Sequence, residues 1–218
     1  MMTNLYIIRH GEAVCNVGNI VGGRNGCQGL TPRGHEQAAR LQARLARGEI
    51  RADVLYASPL RRARETAQAA AAGLDVPIRW DEEFEEIRPG EADGMTYDEA
   101  RERFNTAGRD IVYQPYSPGG ESFAMFVARV GRALSRILRQ HEGQNIVVVA
   151  HGGIIEASFY YFLGSSAALV LRSGFWIHHT SITQWRQGDP ASDQRWYLLR
   201  YNDVAHLDSE MLASTEPL

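Results

Sequence analysis

The 218-residue sequence predicts a three-layer α/β/α fold with a mostly parallel central sheet and helices on both faces. Three observations carry this reading. Short apolar runs alternate with helical stretches along the chain, as strand–helix–strand units do. Ile146-Val147-Val148-Val149-Ala150 is a nearly continuous β-branched run, the pattern of a strand covered on both faces. Leu5-Tyr6-Ile7-Ile8 is a second apolar run, and both end in a histidine and a glycine, His10-Gly11 and His151-Gly152.

The elements follow in order. After the first strand, 13–29 reads as a loop holding Gly18, Gly22, Gly23, Gly26 and Gly29. Thr31 and Pro32 are a helix cap and a first helical residue. An apolar stripe of Ala38, Leu41 and Leu45 carries that helix to about Arg47. Val54 to Ser58 is a strand. Ser58-Pro59 repeats the cap-plus-proline signal for a helix that stops at Gly73. Val76 to Trp80 is strand-like, 81–94 is an acidic loop, and Tyr97 to Phe104 is a helix. The two prolines and two glycines of 113–120 make a linker within the domain. Ser122 to His141 is a long amphipathic helix, with Phe126, Val130 and Leu134 at helical spacing. A helix through Glu156 and Phe162 follows the 146–150 strand. Phe175–His178, Ser181–Arg186 and Arg195–Tyr201 are the last strands. The tail, 203–218, shows little periodicity and reads as surface-bound or frayed. The whole, 1–218, is one domain with a loop and helical cap region over 81–120.

Bulk properties narrow the function. The net charge of -3 argues against a nucleic-acid partner, which wants a basic face. Cys15 and Cys27 are too few for a disulfide framework and lack zinc-site spacing. No apolar run reaches membrane length, and the N-terminus lacks the basic and apolar regions of a signal peptide. The reading is a cytoplasmic protein with no membrane partner, no metal and no cofactor; a homodimer stays open.

The two strand ends hold the chemistry. If their strands are parallel neighbours, both imidazoles reach one edge of the sheet, where open α/β sheets place their ligands. Val54–Ser58 leads to Arg61 and Arg62, so three strand ends converge two histidines and two or three arginines. This suits a phosphoryl group. A guanidinium and a phosphate charge ~4 Å apart gain ~4 kcal/mol at an effective dielectric of ~20, and an imidazole nitrogen can attack phosphorus.

Five segments in order resemble the histidine phosphatase (phosphoglycerate mutase-like) superfamily. Arg9-His10-Gly11-Glu12 resembles its RHG signature. Leu30 to Gly34, with Gln37-Ala38, resembles LTxxGxxQA. Ser58 to Ala67 resembles SPLxRAxxTA. Pro118 to Ser122 resembles PGGES, and Val147 to Gly153 resembles VVxHGG. The resemblance implies that His10 is the phosphorylated nucleophile and that Arg9, Arg62 and His151 line the phosphate pocket. Arg62, not Arg61, matches, because it directly precedes Ala63. Asn16, Gly22, Gly23 and Gly152 take substrate-binding places. Among the acidic residues Asp81, Glu82, Glu83, Glu85, Glu86 and Glu91, the family register selects Glu86 as general acid, supported by Gly90 and Gly94. Pro89 and Ala92 depart from the common form, in which aromatics are frequent there.

Other histidines have ordinary readings: His35 on a helix, His141 at a helix end, His206 in the tail. His178-His179 is a strand end or lines the substrate mouth, and Tyr113 and Tyr116 sit in a loop able to cap the pocket. The implied activity is metal-independent hydrolysis of a small phosphorylated substrate through a phosphohistidine. A cofactor-dependent phosphoglycerate mutase is the first alternative. It is disfavoured by the short 95–117 stretch, with Arg101, Arg103 and Arg109 as its only bases. A non-catalytic phospholigand binder is the second.

Overall fold

In the computed structural model, residues 2–104, 110, 112–166, 174–189, 191–193 and 195–212 are described. The elements are β1 (Asn4–Arg9), α1 (Val14–Val17), α2 (Pro32–Leu45), β2 (Val54–Ala57), α3 (Arg61–Leu74), β3 (Ile78–Trp80) and α4 (Tyr97–Phe104). They continue with α5 (Phe123–Gln140), β4 (Asn145–Ala150), α6 (Gly152–Leu163), β5 (Ile182–Gln187), β6 (Trp196–Asp203) and α7 (Ser209–Leu212). One sheet runs β3-β2-β4-β1-β5-β6. Its first four strands are parallel; β5 pairs antiparallel with β1, and β6 antiparallel with β5 at the edge.

The two-residue period of a strand splits the core into two faces. Leu5, Ile7, Val54, Tyr56, Ile146 and Val148 pack under α5 and α6. Tyr6, Ile8, Leu55, Ala57, Val147 and Val149 pack under α2 and α3. Every residue of β4 from Ile146 to Ala150 is buried, as its β-branched run required. The three-layer expectation is met. Among the described residues no helix is long and apolar enough to cross a membrane.

Four local expectations need correction. The glycine-rich loop contains a short helix, α1, which carries Cys15 and Asn16. Ser58 does not cap α3; Leu60 precedes it, and the Ser58 hydroxyl serves the site instead. Helix α3 runs through Gly73 and ends at Asp75, whose φ of 55° is left-handed. Gly73 is there for packing: a Cβ would lie 2.6 Å from the Gln42 carbonyl oxygen of α2. Finally, Phe175–His178 is not a strand. Its backbone groups pair with side chains rather than a ladder: the Ile177 carbonyl accepts from Arg9, the Trp176 carbonyl from Tyr201, and the His178 N–H donates to Asn202 Oδ1.

The tail is docked as far as it is described. Arg33 donates to the Glu210 carbonyl at 2.6 Å, and Arg40 pairs with Asp208. Residues 213–218 lie outside the described residues, so the expectation of a frayed end does too.

Candidate active site

Parallel pairing of β1 with β4, Arg9 opposite Ala150, puts His10 and His151 at the same sheet edge. Their ring centroids are 5.2 Å apart. Parallel pairing of β2 with β4 brings the first turn of α3 to that edge. There Arg62, buried, donates from Nε to His10 Nε2 at 3.0 Å and from Nη1 to the Gly22 carbonyl at 2.7 Å. Arg61 points outward and pairs with Glu65 at 2.9 Å, so the choice of Arg62 matches its placement.

The hydrogen bonds fix the ring orientations. His10 Nδ1 lies 2.7 Å from the Gly11 carbonyl, which can only accept, so Nδ1 carries the proton and Nε2 its lone pair. His151 Nε2 lies 2.8 Å from Ser58 Oγ, while its buried Nδ1 has no partner. Arg9 donates to the Ile177 carbonyl, and its buried Nε is also unpartnered. Burial, then Arg62 with His151, Arg9 and His179, holds His10 well below the usual histidine range. Burial, then Arg62, Arg9 and Arg129, does the same to His151. Burial lowers Arg9 to about 10, with Glu86 opposing and Arg62 adding to the shift. At neutral pH the pocket therefore holds charged guanidinium groups and neutral imidazoles.

Across the pocket stands Glu86. Its Oε1 accepts from the Ile87 N–H at 3.0 Å and its Oε2 from the Gly153 N–H at 3.1 Å, at the start of α6. The neighbouring acids are engaged elsewhere: Glu85 with Arg24 and Arg88, Glu82 with Arg24, Asp81 with Arg136, Glu91 with Arg103. Only Glu86 of the six candidates lines the central cavity, whose volume is about 1400 Å³. Arg9, His10, Arg62, Asn16, Gly22 and Gly152 line it as well.

Gly23 does not. Its N–H is held by Asp93 Oδ1 at 2.8 Å, and the same carboxylate takes the N–H groups of Asn25 and Gly26. Asp93 thereby pins the loop whose neighbouring carbonyl, Gly22, holds Arg62. Tyr116 lines the cavity, whereas Tyr113 is 61% exposed and does not. Arg101 and Arg103 pair with Asp98 and Glu91; Arg109 lies outside the described residues. Cys15 and Cys27 are free buried thiols, and Cys27 Sγ accepts the Arg62 N–H at 3.3 Å.

Of the His178-His179 pair, read as a strand end or as lining the substrate mouth, only His179 lines the cavity, and the residues around it had no sequence signal of their own. The His179 ring centroid is 5.9 Å from that of His10. Tyr97, Phe123, Phe175 and Trp176 supply an aromatic wall, and Glu156 of α6 adds a carboxylate that burial and Glu86 hold above the usual range. An aromatic or a glutamate on a loop or helix reads as core or surface until its neighbours are known. Among the described residues no group of three or more His, Cys, Asp or Glu is placed to hold a metal ion.

A parallel-sheet edge that gathers imidazoles and guanidinium groups against one carboxylate defines an α/β enzyme that handles a phosphoryl group. The model of the histidine phosphatase superfamily (branch 1) matches residues 5–204. The chain is 32% identical over 214 residues to phosphoglycerate mutase-like protein 4 of Arabidopsis thaliana, covering 94% of this chain and 86% of the relative. It is 28% identical over 222 residues to a metal-independent phosphoserine phosphatase of the same plant, covering 95% and 84%. A variant phosphoserine phosphatase from Entamoeba histolytica, solved with phosphoserine, superposes with a TM-score of 0.74 at 29% identity, covering 94% of this chain and 99% of that one. The chain belongs to the histidine phosphatase superfamily, and the expectation of a phosphoric monoester hydrolase is borne out.

Proposed function

We propose that His10 is the nucleophile of a metal-independent phosphomonoesterase acting on small phosphorylated metabolites. The observation that carries this reading is the pair of buried, unpartnered nitrogens, Arg9 Nε and His151 Nδ1, on the two residues that neighbour His10 in the chain and across the sheet edge. Buried polar atoms ordinarily have partners, and these sit where an anion would supply them.

Phosphate entering the pocket takes the Arg62 Nε–H from His10 Nε2 and frees the lone pair. His10 Nε2 then attacks phosphorus. The phosphorus–oxygen bond to the leaving group breaks, and Glu86 protonates the departing oxygen. Water next attacks phosphorus, gives its proton to Glu86, and the nitrogen–phosphorus bond breaks. Arg9, Arg62 and His151 hold the three non-bridging oxygens through both steps. With the Ser58 hydroxyl as donor to His151 Nε2, 2.8 Å away, the Nδ1–H of His151 is left to serve the phosphate. Asn16, Gly22 and Gly152 shape the cavity around the ester, Asn16 with its Oδ1 fixed by the Ala13 N–H at 3.0 Å.

The relatives' names make phosphoserine the first ester to test. With a ³²P-labelled ester and acid-free quench, the wild type should accumulate an acid-labile phosphoprotein, and His10→Ala should lose both it and turnover by at least ~10⁴-fold. Full turnover in His10→Ala would sink the reading. With 3-phosphoglycerate and bisphosphoglycerate, free phosphate rather than 2-phosphoglycerate should appear; the reverse would favour the mutase.

A further inference from the structure

The third imidazole at this sheet edge belongs to no motif. Its placement follows from topology. Strand β1 has β4 on one side and the antiparallel β5 on the other, so the segment entering β5 meets the same edge as the end of β4. His151 and His179 therefore flank His10 from opposite sides. The ring centroids of His151 and His179 lie 5.2 and 5.9 Å from that of His10.

Three features of His179 call for a ligand. It is 6% exposed, lines the cavity, and neither Nδ1 nor Nε2 has a partner. An unsatisfied buried polar group costs ~1–3 kcal/mol, so a ring with both nitrogens unused is poorly explained by packing. The backbone beside it is also under strain: Thr180, a β-branched residue, has a φ of 56°. That turn is held in place by the Thr180 N–H on the His10 carbonyl at 3.3 Å. The Thr180 hydroxyl donates to the His179 carbonyl at 2.8 Å and lies 3.0 Å from His206 Nε2. A strained turn fastened to the nucleophile's own carbonyl suits a side chain that must sit in one place.

We propose that His179 is a catalytic residue that, as the neutral ring, donates an N–H to a non-bridging phosphoryl oxygen on the side of His10 opposite His151. This rests on the phosphatase reading above. No bond is made or broken at His179: His10 Nε2 forms the bond to phosphorus, the leaving oxygen departs with the proton from Glu86, and the His179 hydrogen bond shortens as charge builds on the oxygen. Burial, then Arg9, His178, Arg33 and Arg62, keeps the ring neutral. A neutral donor adds no charge to a pocket that already holds two guanidinium groups.

The test compares wild type with His179→Phe, which keeps a ring without an N–H, His179→Ala, and His179→Gln, which restores an N–H donor. Hydrolysis of p-nitrophenyl phosphate, affinity for orthovanadate and thermal unfolding are measured on each. The Phe and Ala variants should lose ~100-fold or more in kcat, as loss of one oxyanion donor does. Both should weaken vanadate binding at least tenfold, and Gln should recover at least tenfold of the lost kcat. Wild-type kcat and vanadate affinity in a folded Phe or Ala variant would overturn the proposal. So would a Gln variant no better than Phe, because shape rather than the donor would then matter. If wild type binds vanadate but hydrolyses no ester, the phosphatase reading fails instead, and the vanadate comparison still decides whether His179 touches the anion.

Discussion

The active-site cavity has two unlike halves. One is the proposed phosphoryl half, built from strand ends and first helical turns: Arg9, His10, Arg62 and His179, with the fully buried His151 next to His10. His10, Arg62, His151 and His179 are buried there, and charge is set by guanidinium groups. The other is the leaving-group half: Glu86, Tyr97, Tyr116, Phe123, Glu156 and Trp176, drawn mostly from the 81–123 region and the segment before β5. It is acidic and aromatic, and Trp176 is 40% exposed. The first half sits on a sheet whose core strands are packed on both faces, so its geometry is held by the fold. The second hangs on loops fastened by side chains, such as Arg129, which pairs with Glu121 and holds the Glu83, Glu85 and Glu86 carbonyls. On the proposed mechanism the division separates the residues that hold the phosphoryl group from those that face the leaving group.

The sharpest way to break this comparison is at Glu86, the one leaving-group residue assigned to the chemistry. Glu86→Gln should lower kcat ~10²- to 10⁴-fold on an alkyl phosphate that needs a proton to depart. It should cost far less on p-nitrophenyl phosphate, whose anion leaves unaided. Equal losses on both esters would remove Glu86 as the acid.

The phosphoryl half should also govern acid stability. His10, His151 and His179 are held well below the ordinary histidine pKa of ~6.5, mainly by burial. Below ~6.5 the unfolded chain binds their protons and the folded chain does not, so stability falls as pH falls from that value toward the depressed folded values. Each histidine contributes about 1.4 kcal/mol per pH unit over that window. Denaturant unfolding at pH 7 and pH 5.5 measures it, and a flat profile would contradict neutral buried rings.

A smaller effect is expected at Ser58, whose hydroxyl bonds His151 Nε2 and accepts the Leu60 N–H. Ser58→Ala should reduce kcat roughly tenfold, the rate equivalent of about 1.4 kcal/mol, as His151 loses its fixed tautomer. Vanadate affinity should weaken in parallel; unchanged kinetics would mean that Ser58 does not orient the ring. Smallest of all is Trp176→Ala, at the aromatic wall. It should leave kcat within about threefold and shift KM between a small and a bulky ester by ~10-fold at most. A kcat loss as large as that of Glu86→Gln would erase the distinction between the halves.

The same division marks how much the sequence disclosed. Arg9, His10 and His151 were noticeable because strand-end chemistry is local: an apolar run that ends in Arg-His-Gly or His-Gly needs no partner to be seen, whereas Arg62 was told from Arg61 only by the family motif. Glu86 was readable only through a family register, since six acids within eleven residues look alike to local physics. The structure separates them by burial and pairing, leaving one in the cavity. Gly23 failed because the sequence cannot say which loop N–H a distant Asp93 will take. The Gly73 stop failed because close approach of α2 requires the missing Cβ, a tertiary demand that resembles a helix terminator in sequence.

By itself, then, the sequence determined the layered α/β architecture, through strand and helix periodicities that are properties of short windows. It also placed Arg9 beside His10, through residues adjacent in the chain, while the roles proposed for His10 and Arg62 came from the family resemblance. Only the tertiary structure decided that β5 runs antiparallel beside β1. That pairing decides between the two sequence readings of His179, strand end or mouth lining, by making it a neighbour of His10, because strand order is set by how whole faces pack and not by any local pattern.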